Sequence, residues 1–218
     1  QVAPNAFKKE KSSNTYRVFV FGGSSTQGFP YNFYHSFSGR LEQMLLMETQ
    51  GLTIEVINLG MTAVNSYVLW DLKDKVIEYE PDAIVVYAGH NEFYGSFGVG
   101  SSQFGLGKSV TIKRSILFAK DFRLYQLIES VLKPNDKGEE NRTLMARVVR
   151  DSEIDKDSPL FDAGLKQFES NITDFSTFFA NQDIPVYIGT LASNLKDQAP
   201  LGDDLDALSK YNEGLDFI

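Results

Sequence analysis

Short apolar runs alternate with amphipathic segments along this chain. Four runs are rich in β-branched and aromatic residues and end in small or polar residues, which is typical of buried strands. Between them, apolar side chains recur at steps of three and four residues, which predicts helices with one buried face. The predicted strands are residues 16–22, 53–58, 82–88 and 184–190, and the predicted helices are residues 36–50, 65–80, 113–133 and 161–181.

The alternation of strands and helices indicates the fold class. Strands that are joined through helices pair in parallel, by crossovers that are almost always right-handed. The chain is therefore expected to form an α/β fold, a three-layer α/β/α sandwich with a central parallel sheet. Ligands of such folds bind at the carboxyl ends of the strands. The polar clusters that end three of the strands are therefore the candidate functional residues.

Each of these clusters is ordinary by itself. GGSST (residues 22–26) follows the first strand, NLG (58–60) the second, and GHNE (89–92) the third. The first cluster is not a good phosphate-binding loop, because Phe29 and Pro30 stand where a Lys-Ser/Thr pair is needed and G-x-G-x-x-G does not fit. Taken alone, it could be a tight turn between a strand and a helix.

Taken together and in this order, the clusters resemble the SGNH (GDSL) hydrolase family, whose blocks are GDS-x-T, a glycine, and G-x-N-D. The resemblance is close over residues 16–95 and implies a flavodoxin-like topology. It implies Ser24 as nucleophile, and the Ser24 N–H, the Gly60 N–H and the Asn91 amide as oxyanion donors. It implies no cofactor and no metal. Four neighbours are expected to line the substrate site: His90, Glu92, Phe93 and Tyr94.

The sequence departs from the family pattern at three points. Gly23 replaces the usual Asp before the serine, and Glu92 replaces the Asp after Asn91. The third departure is larger, since the D-x-x-H block that carries the general base and its partner is absent. The two histidines are His35, which is more simply a surface or capping residue, and His90, which could replace the missing base or line the pocket.

The C-terminal segment has a helical stripe of its own. Residues 1–15 are expected to form an arm, residues 16–203 the hydrolase-like domain, and residues 204–218 a further helix. That helix is either the first half of a tetratricopeptide-like unit or the next crossover helix. The chain begins with Gln1 and stops inside this helix, so we expect a piece of a longer protein. In the repeat interpretation, the Asp and His would follow a helical insertion.

Composition narrows the classes of partner. A chain of 218 residues with 42% hydrophobic residues is long enough for one core. The net charge of -8 disfavours nucleic acid, and the lack of cysteine excludes disulfides and thiolate chemistry. Bacterial proteins that fuse a GDSL-like domain to helical repeats behind a membrane anchor look similar. That similarity implies an extracytoplasmic location and a protein partner for the repeats.

Two functions are compatible with these residues. The first is an ester hydrolase that acts on carbohydrate, lipid or small acyl esters through a Ser24 acyl-enzyme. The second is a non-catalytic ligand- or protein-binding module that keeps the pocket, and a downstream D-x-x-H would separate the two. Residues 92–108 could act as a lid over the site, or could be a mobile loop with buried anchors.

Overall fold

The sheet and its flanking helices confirm the predicted three-layer α/β/α fold. Four parallel strands form one sheet in the order β2-β1-β3-β4. The strands are β1 (Thr15–Gly22), β2 (Thr53–Asn58), β3 (Ala83–Tyr87) and β4 (Val186–Ile188), and the helices are α1 (Ser24–Gln27), α2 (Phe37–Glu48), α3 (Ser66–Val76), α4 (Val110–Lys120) and α5 (Pro159–Ala180). The computed structural model describes residues 6–28, 31, 33–95, 97–100, 109–123, 125–127, 154–192, 208–210 and 212–213.

The register of the sheet aligns the ends of the strands. Central strand β1 pairs Val20 with Asn58 at the end of β2, and Gly22 with Tyr87 at the end of β3. The three polar clusters follow these strand ends directly. They therefore lie next to one another along the carboxyl edge of the sheet.

One face of the sheet is covered by α3 and α5. The side chains of Phe21, Phe175 and Phe179 are completely buried there. The Phe175 ring meets both Phe21 and Phe179 edge to face, with 5.0 Å between ring centroids. Such pairs add packing energy to the burial of aromatic area. The predicted stripe of residues 161–181 is therefore the buried face of α5 over its second half, although Leu165 near its start is half exposed.

The other face is covered by α2 in the part of the chain that the structure describes. Leu41 and Leu45 pack on the sheet beside Val18 and Val20. Met44, an apolar residue of the same helix, is 65% exposed. An open groove of about 660 Å³ lies between α2 and the strands, because one helix is too narrow to cover four strands. We call it the α2 groove; it is lined by Tyr16, Val18, Phe37, Arg40, Leu41, Met44, Leu45, Ala83, Val85 and Tyr187.

Several predicted boundaries are wrong. The helix predicted over residues 113–133 is observed in part as α4, which starts three residues earlier and ends at Lys120. Residues 123 and 125–127 are helical again, and residues 128–133 lie outside the described part of the chain, so the predicted end of this helix stays a prediction. The predicted helix over 65–80 ends at Val76 and continues as a 3₁₀ turn, Ile77–Tyr79. Strand β4 has three residues rather than seven. Hydrophobic periodicity locates an element, but hydrogen bonding and caps set its ends.

The described part of the N-terminal arm is held by one buried cation. The Arg17 guanidinium donates to the Lys8 carbonyl at 2.8 Å and to the Glu55 carboxylate at 2.6 Å.

At the other end of the chain, residues 208–210 and 212–213 are helical and exposed. The rest of segment 204–218 lies outside the described residues. Among the described helices, none is both long and apolar enough to cross a membrane.

Candidate active site

A glycine turn presents Ser24 at the end of β1. A Cβ on Gly22 would overlap the Thr26 Oγ1 atom and the Tyr87 carbonyl oxygen, so only glycine fits there. The buried Thr26 hydroxyl donates to the Tyr87 carbonyl at 2.9 Å. Ser24 is the first residue of α1 and is half-buried. The turn that carries the serine is therefore fixed to the end of β3.

Asn58 holds the second cluster against the first. Its side chain is completely buried. The Nδ2 group donates to the Thr26 carbonyl at 2.7 Å and to Ser38 Oγ at 2.6 Å, and Oδ1 accepts from the Gly60 N–H at 2.8 Å. Gly60 is among the residues predicted from the sequence, whereas the roles of Asn58 and Thr26 are not. The sequence signal for the role of Asn58 is an asparagine at the end of a strand, two residues before a glycine. An asparagine side chain readily forms a hydrogen bond to the backbone two residues further along the chain.

Gly60 packs directly on α1. A Cβ at Gly60 would overlap the Gln27 nitrogen and lie 2.7 Å from the Thr26 carbonyl carbon. Its N–H, which is expected to bind an oxyanion, donates to the Asn58 side chain. That N–H reaches a bound oxygen only by sharing or leaving the Asn58 bond.

Asn91 faces the turn before Ser24. Its side-chain nitrogen lies 3.0 Å from the position that a Cβ on Gly23 would occupy. No hydrogen bond joins this amide to another residue of the described part of the chain. The Met61 N–H, which follows Gly60, donates to the Gly22 carbonyl at 3.1 Å. The clusters that contain Ser24, Gly60 and Asn91 are thus in contact at one edge of the sheet.

Glu92 fastens the Asn91 loop to α3. Its carboxylate accepts from the Ser66 N–H at 3.0 Å and from the Ser66 hydroxyl at 2.7 Å. The amide of Asn171 on α5 donates to the same hydroxyl at 2.9 Å. Burial raises the pKa of Glu92, and the bonds to Ser66 oppose that shift. Both carboxylate oxygens are used in this way, so Glu92 positions the loop even though the residue also contributes to a cavity wall.

Lys113 holds the far end of the same loop. The side chain is 1% exposed, and Nζ donates to the Phe97 carbonyl at 2.6 Å and to Gln167 Oε1 at 3.1 Å. Phe97 has a φ of 68°, a left-handed conformation that needs support from its surroundings. Burial lowers the pKa of Lys113 to about 8, against the opposing influence of Glu92. A buried amine and a buried carboxylate therefore fix the two ends of residues 92–97.

The lowered pKa of Lys113 predicts how stability depends on pH. The ordinary lysine pKa is 10.5, so between pH 8 and 10.5 the unfolded chain binds a proton that the folded protein has released. The free energy of unfolding therefore rises with pH across this window. Lys113→Met should flatten that rise, measured by urea unfolding at several pH values. The exposed Lys166 of α5 provides the control; Lys166→Met should keep the wild-type slope. Equal slopes for wild type and Lys113→Met would contradict the assignment.

The other expected lining residues are not all in one place. His90 is exposed, and its ring meets the Tyr87 ring edge to face at 5.4 Å. Phe93 stacks on Phe161 of α5, with 5.0 Å between centroids. Tyr94 is half-buried and lies against Gly100. Glu92 and Phe93 line a cavity of about 400 Å³, whereas His90 and Tyr94 do not.

Residues 92–95 and 97–100 of the expected lid are packed against the domain, through Phe93 and Lys113. Residues 101–108 lie outside the described part of the chain, so the lid stays a prediction. Within the described residues, no group of three His, Cys, Asp or Glu side chains could hold a metal ion.

Comparison with known proteins gives weak similarities to one kind of hydrolase. No protein-family model and no curated protein matches the chain. Among solved structures, AlinE4, an SGNH-hydrolase family esterase, is 13% identical, with 81% of this chain and 77% of that chain covered and a TM-score of 0.34. A lipase/acylhydrolase from Enterococcus faecalis is 16% identical (78% and 74% covered, TM-score 0.35). An acetyl xylan esterase is also 16% identical (93% and 99% covered, TM-score 0.36). At these values, the similarities establish no function for this chain.

Proposed function

We propose that this chain is an ester hydrolase domain of the SGNH type, in which Ser24 attacks the ester carbonyl. One observation carries the proposal: the half-buried amide of Asn91 faces the turn before Ser24, with no hydrogen bond to another described residue. A polar group held beside a serine, with its donors unused, is suited to bind an oxygen of a ligand. The Ser24 N–H, at the first position of α1, has no intrahelical partner either.

The chemistry follows from these groups. The Ser24 hydroxyl would form a bond to the carbonyl carbon while its proton passes to a base, and the carbonyl oxygen would become an oxyanion. The Asn91 amide and the Ser24 N–H would donate to that oxygen. Collapse of the intermediate would break the bond to the alcohol oxygen, which would take the proton back from the base and leave as the alcohol. Water would then hydrolyse the remaining acyl-enzyme. Gly60 remains in the proposal as a third donor, through the N–H that now bonds to Asn58.

The general base is the component that this sequence lacks. His90 contacts the Tyr87 ring, and no D-x-x-H occurs in the 218 residues. The base would then have to come from a further segment. The described residues around Ser24 and Asn91 support the proposal because they form a fixed site of hydrogen-bond donors. Such donors serve a nucleophilic serine only where a base activates it.

Covalent labelling tests the proposal. The 218-residue chain should react very slowly with a fluorophosphonate, because Ser24 has no base to activate it. A longer form of the protein that supplies a D-x-x-H segment should be labelled at Ser24, as read by mass spectrometry. Asn91→Ala in that form should slow labelling roughly a hundredfold to a thousandfold. The matched control is Asn181→Ala, a change at an exposed asparagine that follows α5, which should leave the rate unchanged.

Two outcomes would overturn the enzyme assignment. If the longer form carries a D-x-x-H segment and Ser24 stays unlabelled, Ser24 is not the nucleophile. If no form of the protein supplies such a segment and labelling is absent throughout, the domain is a binding module that uses Asn91 as a ligand donor. Fast labelling of the 218-residue chain that is lost in His90→Ala would instead make His90 the base.

A further inference from the structure

A cavity of about 400 Å³ adjoins the loop that carries Asn91. Ala88, Gly89, Glu92 and Phe93 form one of its walls. These residues flank Asn91 on both sides in the sequence, so the cavity and the candidate oxyanion donor share one segment of backbone. Its volume falls within the range of about 300–1,000 Å³ that is usual for small-ligand pockets. The same loop therefore contacts the turn before Ser24 through Asn91 and forms a cavity wall through Glu92 and Phe93.

The facing walls of the cavity are apolar. Leu165 and Phe168 of α5 form one side, and Ile188 and Leu191 at the end of β4 form another. The half-exposed Leu165, Ile188 and Leu191 leave the cavity open to solvent. Apolar side chains that are exposed around one concave surface indicate a ligand with apolar surface of its own.

Polar groups that could recognise a sugar are scarce in these walls. Glu92 and Thr190 are the lining residues whose side chains can form hydrogen bonds. Both carboxylate oxygens of Glu92 already accept from Ser66. A sugar ring would have to leave most of its hydroxyl groups without protein partners, which is unfavourable when they lose water. An alkyl chain has no such requirement.

We infer that this cavity binds the acyl chain of the substrate, so that the ester cleaved at Ser24 is that of a medium-length straight-chain acid and not that of a sugar acetate. The inference rests on the proposed ester hydrolase function. Each methylene group that leaves water contributes about fourfold in affinity when fully buried. An open cavity gives less than this, so four further methylenes should add at least tenfold.

Binding of two carboxylates to the 218-residue chain tests the inference, with butanoate and octanoate as probes in isothermal titration calorimetry. Octanoate should bind at least tenfold more tightly than butanoate, since both carry the same charge. Leu165→Asp places a carboxylate in the cavity wall and should weaken octanoate at least tenfold. Because Leu165 is 48% exposed, the variant should still fold, which a matching thermal transition would verify. Lys166→Asp, the exposed neighbouring position, is the matched control and should change octanoate affinity less than threefold.

The α2 groove is the competing apolar site, and one variant separates the two. Met44→Asp alters that groove at a 65% exposed position and should leave octanoate binding unchanged. If Met44→Asp abolishes octanoate binding while Leu165→Asp does not, the acyl chain occupies the α2 groove and the inference is wrong. Equal affinities for the two acids, no measurable octanoate binding, or tight binding of cellobiose that Leu165→Asp abolishes would also overturn it.

Failure of the proposed function would look different. Asn91→Ala should weaken both acids by a similar factor, because their carboxylate would lose a donor, and it should preserve their ratio. One outcome is that octanoate binds more tightly than butanoate, that Leu165→Asp removes this difference, and that Asn91→Ala has no effect. The cavity then binds acyl chains, but Asn91 is not an oxyanion donor. If Asn91→Ala weakens the binding of both acids, and the wild-type chain binds the two acids with nearly equal affinity, Asn91 is a donor but the cavity does not bind the acyl chain.

Discussion

Replacing Gly60 with alanine is expected to destabilise the protein by about 3 kcal/mol or more. The new Cβ would overlap the Gln27 nitrogen and lie 2.7 Å from the Thr26 carbonyl carbon. These are backbone atoms of α1, which cannot move aside as a flexible side chain would. Relief would require α1 to shift, and Ser24 would shift with it. Urea unfolding at constant pH would measure the loss.

Gly51 provides the control for this substitution. Its φ is +82°, and no atom lies within 4 Å of a Cβ built on it. Gly51→Ala therefore introduces backbone strain without overlap, which should cost about 1 kcal/mol. If Gly60→Ala is no more destabilising than Gly51→Ala, the close packing of Gly60 on α1 is not as described.

Asn58→Ala should lower the free energy of unfolding by about 3–5 kcal/mol, which is the second large effect that we expect. The change leaves the buried Thr26 carbonyl, the Gly60 N–H and the Ser38 hydroxyl without the partner that Asn58 supplies. Each buried polar group that loses its partner costs roughly 1–3 kcal/mol. Thermal or urea unfolding should show the loss.

A companion variant at the same site tests the reason for this loss. Asn58→Asp keeps the acceptor for the Gly60 N–H and removes the two bonds donated by Nδ2, so it should also be strongly destabilising. Asn181→Ala, at an exposed asparagine, should change stability by no more than about 0.5 kcal/mol. A small effect of Asn58→Ala would mean that water replaces the lost bonds.

Hydrogen bonds of Glu92 and Lys113 hold the loop of the candidate site in place. The loop after β3 is held at Glu92 by Ser66 and at Phe97 by Lys113. Both anchors are provided by helices, Ser66 by α3 and Lys113 by α4, and not by the sheet itself. The position of Asn91 therefore depends on contacts between elements that are far apart in the sequence.

Sequence predicted the sheet because its signal is local. Runs such as residues 16–22 and 53–58 are continuous and apolar, and the observed strands Thr15–Gly22 and Thr53–Asn58 match them closely. The long stripe of α5 was equally clear, since Phe175 and Phe179 lie one turn apart and are both buried. Strand β4 was overestimated, because an apolar run shows no boundary where pairing with β3 stops.

The sequence by itself determined the fold class and placed Ser24, Gly60 and Asn91 after strands whose carboxyl ends share one edge. The fold class and the placement of these residues follow from hydrophobic periodicity and from the order of the strands along the chain. Both can be recognised from residues that are neighbours in the sequence. Tertiary structure alone decided that the Gly60 N–H bonds to Asn58, that the Asn91 amide faces Gly23, and that Glu92 is turned into a contact with Ser66. The partners of a polar side chain depend on which distant groups folding brings within about 3 Å, and local pattern does not encode that distance.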